Sequence, residues 1–148
     1  MLSDLNFHNI AAPQVGSGNP TEAPLDSGRF NVTGNQQDRF RFRTPILRNV
    51  AQTGPWMHSG AYTSLGNVVR HYRNPAAALN QYDPTQLRSD LSSLVFTQQQ
   101  LAAGILNNLD PIVAPPLPLN NGEVADLVAF LESLTDPNAQ SNQAPASV

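Results

Sequence analysis

Residues 42–60 constrain this chain more than any other part of its sequence. They read F-R-T-P-I-L-R-N-V-A-Q-T-G-P-W-M-H-S-G, with an Arg-Asn pair between two prolines and a Trp-Met-His run after the second proline. Proline fixes its own φ and pushes the preceding residue out of the α region, so the segment is predicted to form a rigid loop rather than a helix. Few domains need such a run, and we expect this signature segment (residues 42–60) to shape the functional site.

Composition limits the classes of protein that remain. The chain has 148 residues, enough for one domain with a core of modest size. Only 13% of its residues are charged and its net charge is −3, so no basic face for a nucleic-acid backbone is expected. No apolar run approaches the roughly 18 residues of a membrane span, and residues 1–4 do not resemble a signal peptide. Thirteen Pro and nine Gly predict a loop-rich domain of the kind whose core is usually completed by a cofactor.

A first amphipathic helix is predicted after Thr63 and Ser64, where either hydroxyl can cap it. Four residues spaced i, i+3, i+4 and i+7 share one face of this helix: Leu65, Val68, Val69 and Tyr72. The helix is expected to end at Asn74, because Pro75 follows it. His71 is turned about 100° from Tyr72 on a helix, and we expect it to face solvent.

Two further helices are predicted toward the C-terminus, one from Thr97 to about Asn108 and one that begins at Asn120 or Asn121. The last helix carries a stripe of apolar residues: Val124, Leu127, Val128, Leu131 and Leu134. Asp136-Pro137 stops this helix, and residues 137–148 are predicted to be a disordered tail. Residues 1–38 are rich in turn signals, so the predicted fold class is mainly α and loop-rich.

The signature segment resembles F-x-T-P-x-L-R-N-V-A-x-T-x-P-y-M-H-x-G, which is found in the bacterial di-haem cytochrome c peroxidase and MauG family. Residues 7–10, 26–34 and 121–135 resemble three further family motifs, in the same order along the chain. The resemblance implies that residues 1–136 form the C-terminal cytochrome c-like haem domain of such a protein. Residues 76–107 read as an insertion longer than the family usually carries.

The chain has no cysteine, whereas the family attaches haem c through a C-x-x-C-H motif. The resemblance therefore implies a domain that lacks its N-terminal helix and haem-attachment segment. It also implies that the N-terminal haem domain, with its catalytic groups, is not among these residues. No catalytic residue is predicted within this chain.

Position within the family pattern implies haem-site residues. Tyr72 lies fourteen residues after His58, where the MauG-like branch has a tyrosine that ligates the haem iron and other members have Met. From spacing alone, Tyr72 reads as a core aromatic. Met57 and His58 are expected to line the haem pocket without ligating iron. Arg48 either pairs with a haem propionate or holds its loop together through backbone carbonyls, and the sequence favours neither interpretation.

A calcium site is also implied by the resemblance. Thr53 and Pro55 match positions whose backbone carbonyls bind calcium between the two haem domains, and calcium prefers oxygen donors. Two carbonyls with water make a weak site, so the chain alone is expected to bind calcium poorly. A plain structured loop is the alternative.

The function implied by the resemblance is peroxide-dependent oxidation by a periplasmic oxidoreductase, in which this domain holds the second haem and passes electrons. Its partners would be hydrogen peroxide, the N-terminal haem domain and a redox protein or small electron donor. Two alternatives stay open at the level of sequence. One is a haem-free scaffold or interaction domain, and the other is a cytochrome-like electron carrier without enzymatic activity.

Overall fold

Six α-helices and a two-stranded sheet organise residues 2–19, 25–96 and 99–139, the part of the chain that the computed structural model describes. The helices are α1 (Phe30–Thr33), α2 (Leu65–Arg73), α3 (Pro75–Asn80), α4 (Ser89–Ser92), α5 (Gln99–Leu106) and α6 (Asn121–Ser133). Three 3₁₀ turns lie at Gln36–Asp38, Val50–Gln52 and Pro84–Gln86. Most of the remaining described residues form loops, which confirms the mainly α, loop-rich prediction.

The sheet joins the start of the chain to the signature segment. Strand β1 (Phe7–His8) pairs antiparallel with β2 (Phe42–Arg43), and Phe7 lies opposite Arg43. These two-residue strands were not predicted, because they are too short to show an alternating pattern. Nearby, Gly28 has a φ of +61°, and a Cβ there would lie 2.5 Å from the Arg41 carbonyl. Only glycine permits this close approach of the two backbones.

Helix α2 matches its predicted bounds. The Ser64 hydroxyl accepts a hydrogen bond from the Asn67 backbone N–H, and the Asn74 side chain caps the following helix α3 at Ala77. Leu65 and Val69 are buried, whereas Tyr72 lies at the exposed end of the same stripe. The prediction that His71 faces solvent is wrong, since only 1% of this residue is exposed. The segment that contains Ile10 covers this side of the helix.

Helix α6 is capped as predicted but buried very little. Asn120 and Glu123 form a reciprocal capping box, in which each side chain accepts a backbone N–H of the other residue. The helix packs against α2. Val124 is the buried residue of the predicted stripe, at 3% exposed, whereas Leu127 is 39% exposed. Part of this stripe therefore lacks a packing partner within the described residues.

The core consists of two clusters of buried residues. Ala11, Phe40 and Ile105 form one, and Ala61, Tyr62 and Tyr82 form the other. Tyr82 and Ile105 both come from residues 76–107, so this predicted insertion is part of the core. Its last helix, α5, ends at Leu106, and its predicted start at Thr97 lies outside the described residues, as do residues 140–148 of the predicted tail. Within the described ranges, no helix has the length and apolarity to cross a membrane.

Candidate functional site

Tyr72, the predicted iron ligand, lies in the last turn of α2. The residue is 37% exposed, and its ring makes an edge contact with the ring of His71 at a centroid distance of 6.0 Å. Burial of part of the side chain raises the pKa of Tyr72, so the phenol is protonated at neutral pH. Among the described residues its hydroxyl forms no hydrogen bond. Tyr72 is therefore a partly exposed donor group without a hydrogen-bond partner among the described residues.

Beside Tyr72, His71 forms a buried polar network that sequence reasoning missed. Its Nε2 donates to the Ile10 carbonyl at 2.6 Å, and its Nδ1 lies 2.9 Å from the Tyr62 hydroxyl. A carbonyl cannot donate, so Nε2 carries the proton and Nδ1 accepts from Tyr62 when the ring is neutral. Burial lowers the pKa of His71, which keeps the ring neutral at pH 7.

The other buried tyrosine completes this cluster. The Tyr82 ring meets the Tyr62 ring edge to face at 5.5 Å, and its hydroxyl donates to the Ala61 carbonyl. Burial raises the pKa of Tyr82 to about 12 and raises that of Tyr62 further. The sequence holds three tyrosines, and all three lie in contact with one another or with His71.

Hydrogen bonds and an ion pair join the signature segment to the end of α6. The Asn49 backbone N–H donates to the Leu134 carbonyl at 3.1 Å, and the Asn49 side chain accepts from the Asp136 N–H at 2.8 Å. Arg48 forms an ion pair with Asp136 at 2.6 Å. This contact is of the loop-holding kind, although Arg48 pairs with a carboxylate rather than with backbone carbonyls. Propionate binding by Arg48 stays a prediction.

Met57 and His58 have different surroundings. Met57 adopts a left-handed backbone with φ of +68° and packs against the cluster of Ala61, Tyr62 and Tyr82. The His58 ring stacks on Phe42 at 3.7 Å, and its Nε2 lies 2.6 Å from an Asp26 carboxylate oxygen. Both side chains are therefore engaged within the protein, and their role as pocket-lining residues stays a prediction.

Thr53 and Pro55 lie on an exposed turn of the signature segment. Within the described part of the chain, neither carbonyl accepts a hydrogen bond, so both are free to meet a cation. The turn borders a cavity of about 470 Å³ whose lining includes Pro55, Trp56, Thr63, Leu87, Arg88 and Leu91. Among the described residues, no group of three His, Asp or Glu side chains is placed to hold a metal ion.

A second histidine cluster, centred on His8, was also missed. His8 Nδ1 lies 2.9 Å from Asp110 Oδ2, and its Nε2 lies 2.8 Å from Asp4 Oδ2. Arg41 approaches the same oxygen of Asp110 at 3.6 Å. Hydrogen bonds to Asp110 and Asp4 raise the pKa of His8, and the bond to His8 lowers the pKa of Asp4 to about 2. No signal in the sequence joins His8 to a carboxylate 102 residues away.

Comparison with known proteins gives relatives along almost the whole chain. It is 35% identical over 147 residues to the methylamine utilization protein MauG of Paracoccus denitrificans, a match that covers 91% of this chain and 35% of that protein. It is 33% identical over 104 residues to the cytochrome-c peroxidase IdrP2 of Denitromonas iodatirespirans, which covers 70% of this chain and 27% of that protein. No model of a known protein family matches the chain.

A solved structure agrees with these sequence relatives. The fold matches a MauG-like protein associated with microbial copper homeostasis with a TM-score of 0.57 and 28% identity, over 92% of this chain and 36% of that one. The fold and the relatives together define a domain of the MauG type. The chain belongs to the family that contains MauG and the bacterial cytochrome c peroxidases, and it spans about a third of the length of the relatives it matches.

Proposed function

We propose that these residues are the C-terminal haem domain of a periplasmic di-haem oxidoreductase that consumes hydrogen peroxide. The observation that carries this proposal is the 35% identity to MauG over 91% of the chain. In this proposal the attachment cysteines and the peroxide-handling domain come from sequence outside these 148 residues. When bound, haem supplies one-electron chemistry at iron, and the chain supplies the surface, the axial donor and the connection to the rest of the protein.

Three exposed residues support the proposed haem site. Tyr72 lies on α2, which packs against α6, and α6 exposes Leu127 and Phe130. A porphyrin needs an apolar surface beside one donor atom, and the proposal is supported by the exposed apolar residues of α6 and by the Tyr72 hydroxyl on the helix packed against it. A phenolate is a hard donor that stabilises ferric iron. Because burial raises the pKa of Tyr72, ligation has to release the phenolic proton and is therefore favoured at higher pH.

The signature segment holds this region in place. Arg48 and Asn49 tie the segment to the end of α6, and the Trp56 indole N–H donates to the Val50 carbonyl at 2.8 Å. Met57 and His58 are proposed to line the haem pocket, with Met57 on the core side. Arg48 is proposed to exchange Asp136 for a propionate when haem is present, since its side chain is largely exposed.

The carbonyls of Thr53 and Pro55 are proposed to bind calcium with low affinity in this chain and with higher affinity in a larger assembly. Its support is the pair of carbonyls that accept no hydrogen bond within the described residues and lie on an exposed turn. Titration of the chain with calcium, followed by calorimetry, is expected to give a dissociation constant above 10⁻⁴ M, of the order seen for weak extracellular sites. Tight binding by the chain alone would contradict this part of the proposal.

The test of the proposed function is the haem content and activity of the protein from its own cells. Antibodies against the 148-residue chain isolate the polypeptide that carries these residues, and a denaturing gel stained for haem shows whether the group is covalent. We expect the band to stain for haem. Before denaturation, the isolated protein should hold two haems per chain and oxidise a small electron donor when peroxide is added. A purified polypeptide with these residues and no haem would overturn the proposal.

A further inference from the structure

Tyr62 and Tyr82 are both buried but differ in the atom that accepts their phenolic hydrogen. Tyr62 is 5% exposed and donates to Nδ1 of His71 at 2.9 Å. Tyr82 is 9% exposed and donates to the Ala61 carbonyl. A neutral imidazole nitrogen is a base that can take up a proton near pH 7, whereas a backbone carbonyl is not.

This difference decides which tyrosine can lose an electron inside the protein. Removal of one electron from a phenol gives a cation radical, which is a far stronger acid than the phenol itself. The phenol must therefore release its proton in the same event, and a hydrogen-bonded base must stand ready to accept it. Tyr62 has such a base and Tyr82 does not.

His71 is arranged to accept this proton. Its Nε2–H already donates to the Ile10 carbonyl at 2.6 Å, so the imidazolium that forms keeps a hydrogen bond from each nitrogen. The groups that face His71 are the Tyr62 hydroxyl, the Ile10 carbonyl and the Tyr72 ring on its own helix.

We propose that Tyr62 is a redox-active residue, which gives one electron to a strong one-electron oxidant while its phenolic proton passes to Nδ1 of His71. The O–H bond of Tyr62 breaks and an N–H bond forms on His71, so the products are a neutral tyrosyl radical, an imidazolium and the reduced oxidant. Return of an electron to Tyr62 and of the proton from His71 restores the starting state. This role goes beyond iron ligation by Tyr72.

Ring contacts connect this pair to the candidate haem site. The His71 ring lies 5.5 Å from Tyr62 and 6.0 Å from Tyr72, centroid to centroid. This part of the inference rests on the proposed function, under which the oxidant is the haem iron after its reaction with peroxide. Tyr62 would then hold an oxidising equivalent at a site that the His71 ring connects to the iron ligand Tyr72.

The three tyrosines of the sequence allow a matched experiment. Three double variants each keep a single tyrosine: Tyr72→Phe with Tyr82→Phe, Tyr62→Phe with Tyr72→Phe, and Tyr62→Phe with Tyr82→Phe. Phenylalanine keeps each ring and removes only the hydroxyl. The 148-residue chain is oxidised by flash-generated tris(bipyridine)ruthenium(III), and the phenoxyl radical is followed by absorption and electron paramagnetic resonance. Circular dichroism confirms that each variant keeps its helices.

The decisive comparison is between the proteins that keep only Tyr62 or only Tyr82, because both residues are buried. We expect the neutral radical to form at least tenfold faster at Tyr62, and to form about twofold more slowly in D₂O. Equal rates at the two residues, or a rate at Tyr62 that is unchanged in D₂O, would overturn the proposal. Since the oxidant is added from outside, this result does not depend on whether the chain binds haem.

Discussion

Helices α2 and α6 pack against each other but are stabilised in different ways. In α2, a polar side chain is buried, because both nitrogens of His71 have partners from other parts of the chain. In α6, apolar side chains are partly exposed, because the described residues cover Leu127 and Phe130 only in part. Hydrophobic periodicity thus identifies a helix, but the chain packed around it decides which side chains are buried.

The largest effect is expected from loss of His71. The change His71→Ala leaves the Tyr62 hydroxyl and the Ile10 carbonyl buried without their partner, and each unsatisfied group costs about 1–3 kcal/mol. We expect the free energy of unfolding in urea to fall by about 2–5 kcal/mol. As a control, His58→Ala removes an exposed histidine paired with Asp26 and should cost about 1 kcal/mol or less. Similar losses for the two variants would show that the His71 network is not a main contributor to stability.

Burial along α6 gives the next largest effect. Val124→Ala removes two methyl groups from a residue that is 3% exposed, and should lower the free energy of unfolding by about 2 kcal/mol. Leu127→Ala removes more carbon from a residue that is 39% exposed, and should cost below about 1 kcal/mol. Equal costs, measured by thermal unfolding, would mean that α6 is covered along its length in solution, for instance by a second copy of the chain.

The same two helices show which features of the fold the sequence could predict. The bounds of α2 and α6 could be predicted because Ser64, Asn74 and Asn120 act within a few residues of themselves. The burial of His71 could not, since its partner at Ile10 is 61 residues away. The identity of Tyr72 as a candidate ligand came from the family pattern, whereas the partners of Arg48 and His58 required the fold.

A smaller, pH-dependent effect is expected from the His8 cluster. The raised pKa of His8 means that its contribution to stability is complete below pH 6.5 and is lost as the pH rises through the raised value. Burial raises the pKa of Asp110, but hydrogen bonds from the Ile112 N–H and His8 outweigh it. The contribution of Asp110 is therefore complete above pH 3.8 and is lost as the pH falls through the lowered value.

The contribution of His8 is lost at high pH and that of Asp110 at low pH. The cluster is therefore expected to stabilise the fold fully between about pH 4 and pH 6.5, the ordinary pKa values of Asp and His. The change His8→Gln keeps one hydrogen bond and removes the titrating charge. We expect this variant to lose about 1 kcal/mol at pH 5.5 and less at pH 9, as measured by urea unfolding at each pH. A loss that is the same at both pH values would show that the ion pairs of His8 contribute nothing.

The central claim is that α2 presents an iron ligand at its exposed end, where Tyr72 has no hydrogen-bond partner among the described residues. The most direct measurement is the absorption spectrum and reduction potential of the haem-bearing protein with Tyr72→Phe, Tyr72→Met or Tyr82→Phe. We expect Tyr72→Phe to change the ferric spectrum, Tyr72→Met to raise the potential, and Tyr82→Phe to leave both as in the parent protein. A ferric spectrum and potential that Tyr72→Phe leaves unchanged would contradict the account.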